Sequence, residues 1–261
     1  MCGRFVQVIN IKKVEGTYGI SLPGETELES SYNVAPGDYA YVISSSDPQK
    51  LVRYRFGMTP HWAKKPMYLI NARAEGDANK TNDPGFRGKK GIIMKPAFRK
   101  PIRSQRCIVV ANAFIEGPEK EKLDKPFVIA RRDKQYISLA AVWDTWVDKN
   151  TGEEINSFAI VTTVANAITS KIGHARSPVI IPPGEERRWL NSGAPLTDVV
   201  KLLKPFPGKY FEAIPVSVKV KDPRNKDREI LVPTGKRITV EDEFEVTKGL
   251  KLQGMGNRRK H

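Results

Sequence analysis

Six short runs rich in β-branched and aromatic side chains set the frame for this chain. They are Tyr39–Ser44, Leu51–Gly57, Cys107–Ile115, Phe127–Ala130, Tyr136–Val142 and Ser157–Thr163, each of a length and composition that suits a β-strand. Turn signals separate them: Pro36-Gly37, Asp47-Pro48, Gly117-Pro118 and Thr151-Gly152. Helical signals are fewer. Thr163 can cap a helix over Val164–Ile172 with Gly173 as its stop, and Glu185–Leu190 and Thr197–Leu203 read as two further short helices. Many strands, few helices and no regular alternation predict an α+β fold, a single domain built on an irregular, mostly antiparallel sheet or barrel. No repeat at solenoid period is visible. The expected division is one domain over residues 1–235 and a mobile basic extension over 236–261.

Charge narrows the partners. Lys and Arg number 44 against 29 Asp and Glu, giving +15, and a balance of that sign points to polyanions rather than to any fold. Segment 79–106 concentrates it, with Lys80, Arg87, Lys89, Lys90, Lys95, Arg99, Lys100, Arg103 and Arg106 against Asp83 alone, so it reads as a long loop that meets polyanion. The tail Lys248–His261 is also basic. No run of eighteen apolar residues exists to span a membrane, and the first residues lack the apolar core of a secretory signal. Two cysteines, Cys2 and Cys107, make no disulfide framework and suit a reducing compartment, so the expected location is the cytoplasm, at the nucleoid when bound to DNA. The histidines His61, His174 and His261 are far apart and no CxxC pair is present, so neither a metal nor another cofactor is expected. Cys107, at the head of an apolar run, reads as an inert core residue, and Trp143 and Trp146 as packing residues.

Cys2 is the most informative position. An initiator Met followed by a small residue is removed, which leaves Cys2 as the terminus with an α-amine and a thiol on adjacent carbons. An α-amine titrates near 7.7–8.0, so part of it is a neutral nucleophile at physiological pH. Two kinds of chemistry follow. The amine can condense with an aldehyde to a Schiff base that the thiol closes into a thiazolidine, or the thiol can attack an acyl carbon with its own amine as base.

Further segments narrow the choice. Met1-Cys2-Gly3-Arg4-Phe5 is followed by Tyr32-Asn33-Val34-Ala35-Pro36-Gly37, then Phe56-Gly57-Met58-Thr59-Pro60-His61-Trp62, then Ile70-Asn71-Ala72-Arg73-Ala74-Glu75. Arg106-Cys107 through Asn112-Ala113-Phe114-Ile115-Glu116, His174-Ala175-Arg176-Ser177-Pro178 and Pro215-Val216-Ser217 complete the series. In this order, over about residues 2–233, the chain resembles the SOS-response-associated peptidase (SRAP) family, the abasic-site processing proteins.

The resemblance implies a protein that captures abasic sites in single-stranded DNA covalently, the ring-opened sugar aldehyde being trapped by Cys2 as a thiazolidine that shields the lesion. It also implies self-removal of the leader, here Met1 alone, so the activity is lyase-like with a possible autopeptidase step. Glu116, at the end of an apolar strand, can hold the Cys2 amine and move protons. His174 can protonate the sugar ring oxygen or shuttle a proton during closure. Asn71 offers a donor and an acceptor to a sugar hydroxyl or to Cys2. Arg73 and Arg176 are candidates for phosphate contacts, Trp62 with Pro36 for stacking on bases, and Arg4 and Asn33 for further DNA contacts. The chemistry demands that residue 2 be accessible and close to both Glu116 and His174. Several positions depart from the family pattern: Ala63 and Gly117 stand where aromatics are usual, Ala111-Asn112-Ala113-Phe114-Ile115 precedes Glu116 where the family prefers Gly-Phe-Tyr, and Ser177 replaces a methionine. Two other readings remain, a nucleic-acid-binding module with no covalent step and an N-terminal-nucleophile glutamine amidotransferase, which also begins Met-Cys-Gly.

Overall fold

Residues 2–22 and 28–240 are described by the computed structural model, and among them thirteen strands alternate with turns and short helices. In chain order the strands are β1 (Arg4–Gln7), β2 (Ser31–Val34), β3 (Tyr39–Ser44), β4 (Asp47–Phe56), β5 (Asn71–Arg73), β6 (Arg106–Ala111) and β7 (Ala113–Glu116). They continue as β8 (Phe127–Arg131), β9 (Ile137–Val147), β10 (Glu154–Val164), β11 (Arg176–Pro178), β12 (Phe211–Pro215) and β13 (Ile238–Thr239). The α-helices are α1 (Ile11–Tyr18), α2 (Pro101–Ser104), α3 (Ala167–Lys171), α4 (Glu186–Leu190) and α5 (Leu196–Lys201).

One sheet runs β13-β12-β8-β7-β1-β2. In the other, β10, β4, β3, β6 and β9 pair in turn and β9 pairs back to β10, which closes a five-stranded barrel with β5 and β11 attached to β10. Only the pairings of β10 with β4 and β5 are parallel. The result is the α+β single domain, an irregular and mostly antiparallel barrel with few short helices, that the strand runs predict. Gln7 ties the sheets together: its buried side-chain amide donates to the carbonyls of Tyr41 (2.9 Å) and Val110 (2.7 Å) and accepts from the Tyr41 N–H (2.7 Å). A buried amide so fully paired carries no desolvation penalty.

Three local expectations are corrected. The run Cys107–Ile115 is not one strand: it breaks at Asn112, whose side-chain oxygen accepts from the Val8 N–H at 2.6 Å, so β6 enters the barrel and β7 the other sheet. The helix expected from Val164 begins at Ala167, because β10 runs through Val164 and Asn166 supplies a capping box with Thr169. Arg106, counted among the cations of the polyanion surface, is fully buried. Its guanidinium donates to the carbonyls of Trp189 (2.6 Å), Ile102 (2.9 Å), Arg103 and Asn191, which fastens α2 and α4 to the barrel, and burial pulls its pKa down to about 10. β13 carries the sheet past the boundary expected at residue 235, and 241–261, including the basic tail, lies outside the described residues.

The core beneath the barrel's end is phenylalanine-rich. Phe56 stacks on Phe158 (5.2 Å between centroids, 12° between planes) and meets Phe5 edge-on at 5.6 Å. Such contacts add about 0.5–1.5 kcal/mol each to the area they bury. Cys2, Phe5, Phe114 and Phe211 belong to this same cluster. Cys107, Trp143 and Trp146 are buried too, as expected.

Candidate functional site

Strand register delivers the start of the chain to Glu116. β1 pairs antiparallel with β7, Arg4 facing Ile115 and Phe5 facing Phe114, so residues 2 and 3 lie beside the end of β7. That end is shaped by Gly117, where a Cβ would stand 1.6 Å from the carbonyl oxygen of Lys122. No side chain fits there, which accounts for the missing aromatic. His174 arrives from the other sheet: α3 stops at Gly173 (φ 80°) and the His174 N–H donates to Thr169 O at 2.9 Å. Its ring Nε2 lies 3.6 Å from Glu116 Oε2, both side chains nearly buried. Asn71 comes from β5, laid parallel to β10 with Asn71 beside Ile160. Its Nδ2 donates to the carbonyls of Cys2 (2.8 Å) and Ile70 (2.7 Å), and its buried Oδ1 has no hydrogen-bond partner among the described residues.

Electrostatics separates the roles. Burial raises the Glu116 carboxyl to about 7, against the pull of the amino-terminal charge, so at neutral pH it exists in both forms. Burial likewise lowers His174 to about 4, so the ring is a neutral imidazole and not the cationic acid its ordinary value suggests. Cys2 is 2% exposed, and burial, with Glu116 adding to it, pushes its thiol far above the ordinary range. The accessibility expected of residue 2 is therefore corrected for this chain, which still carries Met1: the side chain sits in the phenylalanine cluster. Of the closeness expected to Glu116 and His174, Glu116 is near enough to push the thiol up, and Asn71 joins it through the Cys2 carbonyl.

Beside this group lies a second, fully ionic one. Both terminal nitrogens of Arg176 sit 3.1 Å from Glu75 Oε2, and the Thr163 hydroxyl donates to Glu75 Oε1 at 2.6 Å. Burial would raise the Glu75 carboxyl, but Thr163, its own backbone and Arg176 together hold it below the ordinary range. Asn82 Oδ1 accepts from both Arg176 (3.1 Å) and Arg73 (3.0 Å), and Arg73 also donates to Asn79 O. Arg176, a candidate for phosphate contact, is in this structure a buried counter-ion of Glu75. Arg73 is half-buried.

The remaining candidates divide. Asn33 is fully buried, its Nδ2 donating at 3.0 Å each to the carbonyls of Val220, Asp222 and Asn225, so it anchors the 220–225 loop and its expected DNA contact is corrected. Arg4 is half-buried and donates to Gly3 O (3.1 Å) and Lys221 O (3.4 Å). Pro36 is half-buried in the turn before β3. Trp62 is 51% exposed, on a loop pinned by His61, whose backbone N–H (2.9 Å) and ring Nδ1 (2.8 Å) both meet Asp144 Oδ2. Ala63 is buried and its carbonyl accepts from the buried Trp146 Nε1 of β9 at 2.8 Å. Glu75 and Asn82 escaped the sequence reading. Glu75 was within reach: Asn71-Ala72-Arg73-Ala74-Glu75 alternates polar and small apolar residues at period two, the pattern of a strand with one polar face. Asn82 left no signal, because its role depends on where a loop returns.

Fold and site together define a class: a β-barrel protein whose polar groups converge on its amino-terminal strand. The family described as SOS response associated peptidase (SRAP) matches residues 1–223, and the chain belongs to it. It is 31% identical over 239 residues to the abasic site processing protein YoqW of Bacillus subtilis, covering 88% of this chain and 99% of that one. To the abasic site processing protein YedK of Escherichia coli it is 29% identical over 245 residues, covering 89% and 100%. A crystal structure of a protein from Bacteroides thetaiotaomicron superposes with a TM-score of 0.73 at 28% identity, over 90% of this chain and all of that one. Among the described residues no helix is long and apolar enough to cross a membrane, and no cluster of His, Cys, Asp and Glu could hold a metal ion.

Proposed function

We propose that this protein processes abasic sites in DNA by capturing them covalently on Cys2 in single-stranded DNA, once Met1 has been released by an aminopeptidase or by the chain's own site. The reading is supported above all by the convergence of Cys2, Asn71, Glu116 and His174 from four separate segments. The buried thiol stays protonated, so the amine leads. It adds to C1′ of the ring-opened deoxyribose, and the carbinolamine oxygen leaves as water with a proton from Glu116, giving the C=N bond of a Schiff base. The Cys2 sulfur then bonds to C1′ while its proton passes, by way of Glu116, to the imine nitrogen. The product is a five-membered thiazolidine, and the balance is one water lost. Neutral His174 takes the hydroxyl proton of the closed sugar or returns one to its ring oxygen, and Asn71 Oδ1 accepts from the amine or a sugar hydroxyl. Arg73, Pro36 and Trp62 hold the flanking strand, and the site of action is the cytoplasm, at the nucleoid.

The test is incubation with a single-stranded oligonucleotide carrying one abasic site, followed by denaturing electrophoresis and intact mass. A heat-stable adduct lighter by one water than the sum of its parts, absent from Cys2→Ala, is expected. No adduct from protein shown by mass to lack Met1 would sink the covalent step. The burial of Cys2 favours one second reading, a nucleic-acid-binding module in which the thiol is silent, and Cys2→Ala behaving like the parent towards abasic and intact DNA would decide for it.

A further inference from the structure

Outside the site, the face that β3 and β4 turn away from the barrel core carries tyrosine and arginine in alternation. Ala40, Val42 and Tyr54 point inwards and are buried, which leaves exposed Tyr39 and Arg53, half-buried Arg55 and the buried Tyr41 on the other face. The register sets Tyr39 opposite Arg55 and Tyr41 opposite Arg53. The Arg53 guanidinium lies 5.9 Å from the Tyr39 ring and 5.7 Å from the Tyr41 ring, and Arg55 lies 5.1 Å from the Tyr68 ring. Arg55 is held at both ends, its Nε donating to Gly37 O at 3.3 Å and its Nη2 to the Tyr68 hydroxyl at 3.1 Å. Tyr39 is 47% and Tyr68 52% exposed, an unusual display for rings of that size.

Along the chain the strip leads towards Asn71. Tyr68 is three residues before Asn71, about 10 Å along extended chain, and Arg55 abuts the Pro36-Gly37 turn. It ends in a cavity of about 300 Å³ lined by Tyr39, Tyr41, Arg53, Asp38, Glu29 and Lys226 among others. Glu29 pairs with Arg53 at 2.8 Å and Asp38 with Lys226. The Glu29 pair is exposed on both sides, so exchanging its carboxylate for a phosphate costs little.

We propose that this strip is a second nucleic-acid subsite, a stacking track that carries the single strand leading away from the lesion, with Tyr68 and Tyr39 under successive bases, Arg53 and Arg55 at the phosphates, and the terminal cavity taking one further base. Flat rings interleaved with guanidinium groups bind unpaired bases without regard to sequence, because every base has a π-face and every linkage a charge. Duplex DNA, whose bases are stacked inside, gains nothing from such a track. The inference rests on the DNA reading above, but its measurement does not need capture.

The probe is undamaged, dye-labelled oligothymidylate of about a dozen nucleotides, within the length one such track covers, with fluorescence anisotropy as the readout. Tyr39→Ala combined with Arg53→Ala is expected to weaken binding about tenfold or more and to flatten its salt dependence by about one unit. Tyr39→Phe, which keeps the ring, restores the tyrosine's share. Glu29→Gln removes the competing carboxylate from an exposed position and is expected to tighten binding about twofold to threefold. Unchanged affinity and salt slope in a double variant whose melting temperature matches the parent overturns the proposal, as does a Glu29→Gln protein that binds more weakly. Parent protein that binds the intact oligonucleotide through the strip yet forms no adduct with abasic DNA leaves the track standing and removes the capture reading.

Discussion

Two buried carboxylates stand a few residues' reach apart and behave in opposite ways. Glu75 meets a guanidinium and a hydroxyl at full hydrogen-bond distance and is held ionised. Glu116 faces an imidazole at 3.6 Å, longer than a hydrogen bond, and burial lifts it to about 7 while lowering that imidazole to about 4. The difference lies in the partner. A guanidinium keeps its charge in any protein environment, so Glu75–Arg176 is a fixed ion pair that locks β5, β10 and β11 together. An imidazole can shed its proton, and burial discharges this one; at Glu116 desolvation outweighs the amino-terminal charge and the Gly117 backbone, which favour the ionised form. The two acids thus differ in the balance between desolvation and the groups that favour the charged form.

The sharpest way to break that contrast is to remove one partner of the fixed pair. Glu75→Gln or Arg176→Met strands a buried charge and is expected to cost about 3–5 kcal/mol in urea unfolding; a loss below 1 kcal/mol would show the pair to be incidental. Glu116→Gln is expected instead to slow adduct formation about a hundredfold, near 2.7 kcal/mol of barrier, with DNA affinity little changed; equal losses in rate and affinity would take the acid–base role from Glu116.

The pH responses differ in sign as well. The folded value of Glu116 is raised, so its contribution to stability is full below about 4.5 and is lost as pH climbs through about 7. Glu116→Gln should therefore gain on the parent between pH 5 and 8, by at most about 3 kcal/mol. Glu75 is depressed, so its contribution is present above about 4.5 and is lost as pH falls through its folded value. Urea titrations of both Gln variants at acid and mildly alkaline pH read the two trends. Smaller still, Trp62→Ala should weaken single-strand binding about tenfold by anisotropy, one stacked base, with unfolding unaltered because the ring is half exposed. Asn33→Ala marks the opposite case, about 1–3 kcal/mol of stability from three orphaned carbonyls and an unchanged preference for abasic over intact DNA.

Much of the frame was legible. Tyr39–Ser44 is a strand to the residue, and Gly173 ends its helix as its position foretells. Cys2 stands out by its own chemistry, whereas Asn71, Glu116 and His174 are nominated by the resemblance and only then fit that chemistry. Legibility failed where a side chain's surroundings come from distant segments. Asn33 and Arg176 have the same donors whether they face DNA or a buried carbonyl or carboxylate, and only the 220–225 loop and Glu75 decide which. Asn112 reads as one more residue of an apolar run until Val8 claims its amide.

Periodicity, turn residues and side-chain chemistry are local quantities, so the sequence alone could specify strands, a barrel-prone pattern, a surplus of positive charge and a cysteine at position 2. Desolvation, pairing and direction are sums over neighbours brought from far along the chain. For that reason only the tertiary structure could raise the Glu116 carboxyl, keep His174 neutral, bury the Cys2 thiol and set Tyr39 and Arg53 on an exposed face.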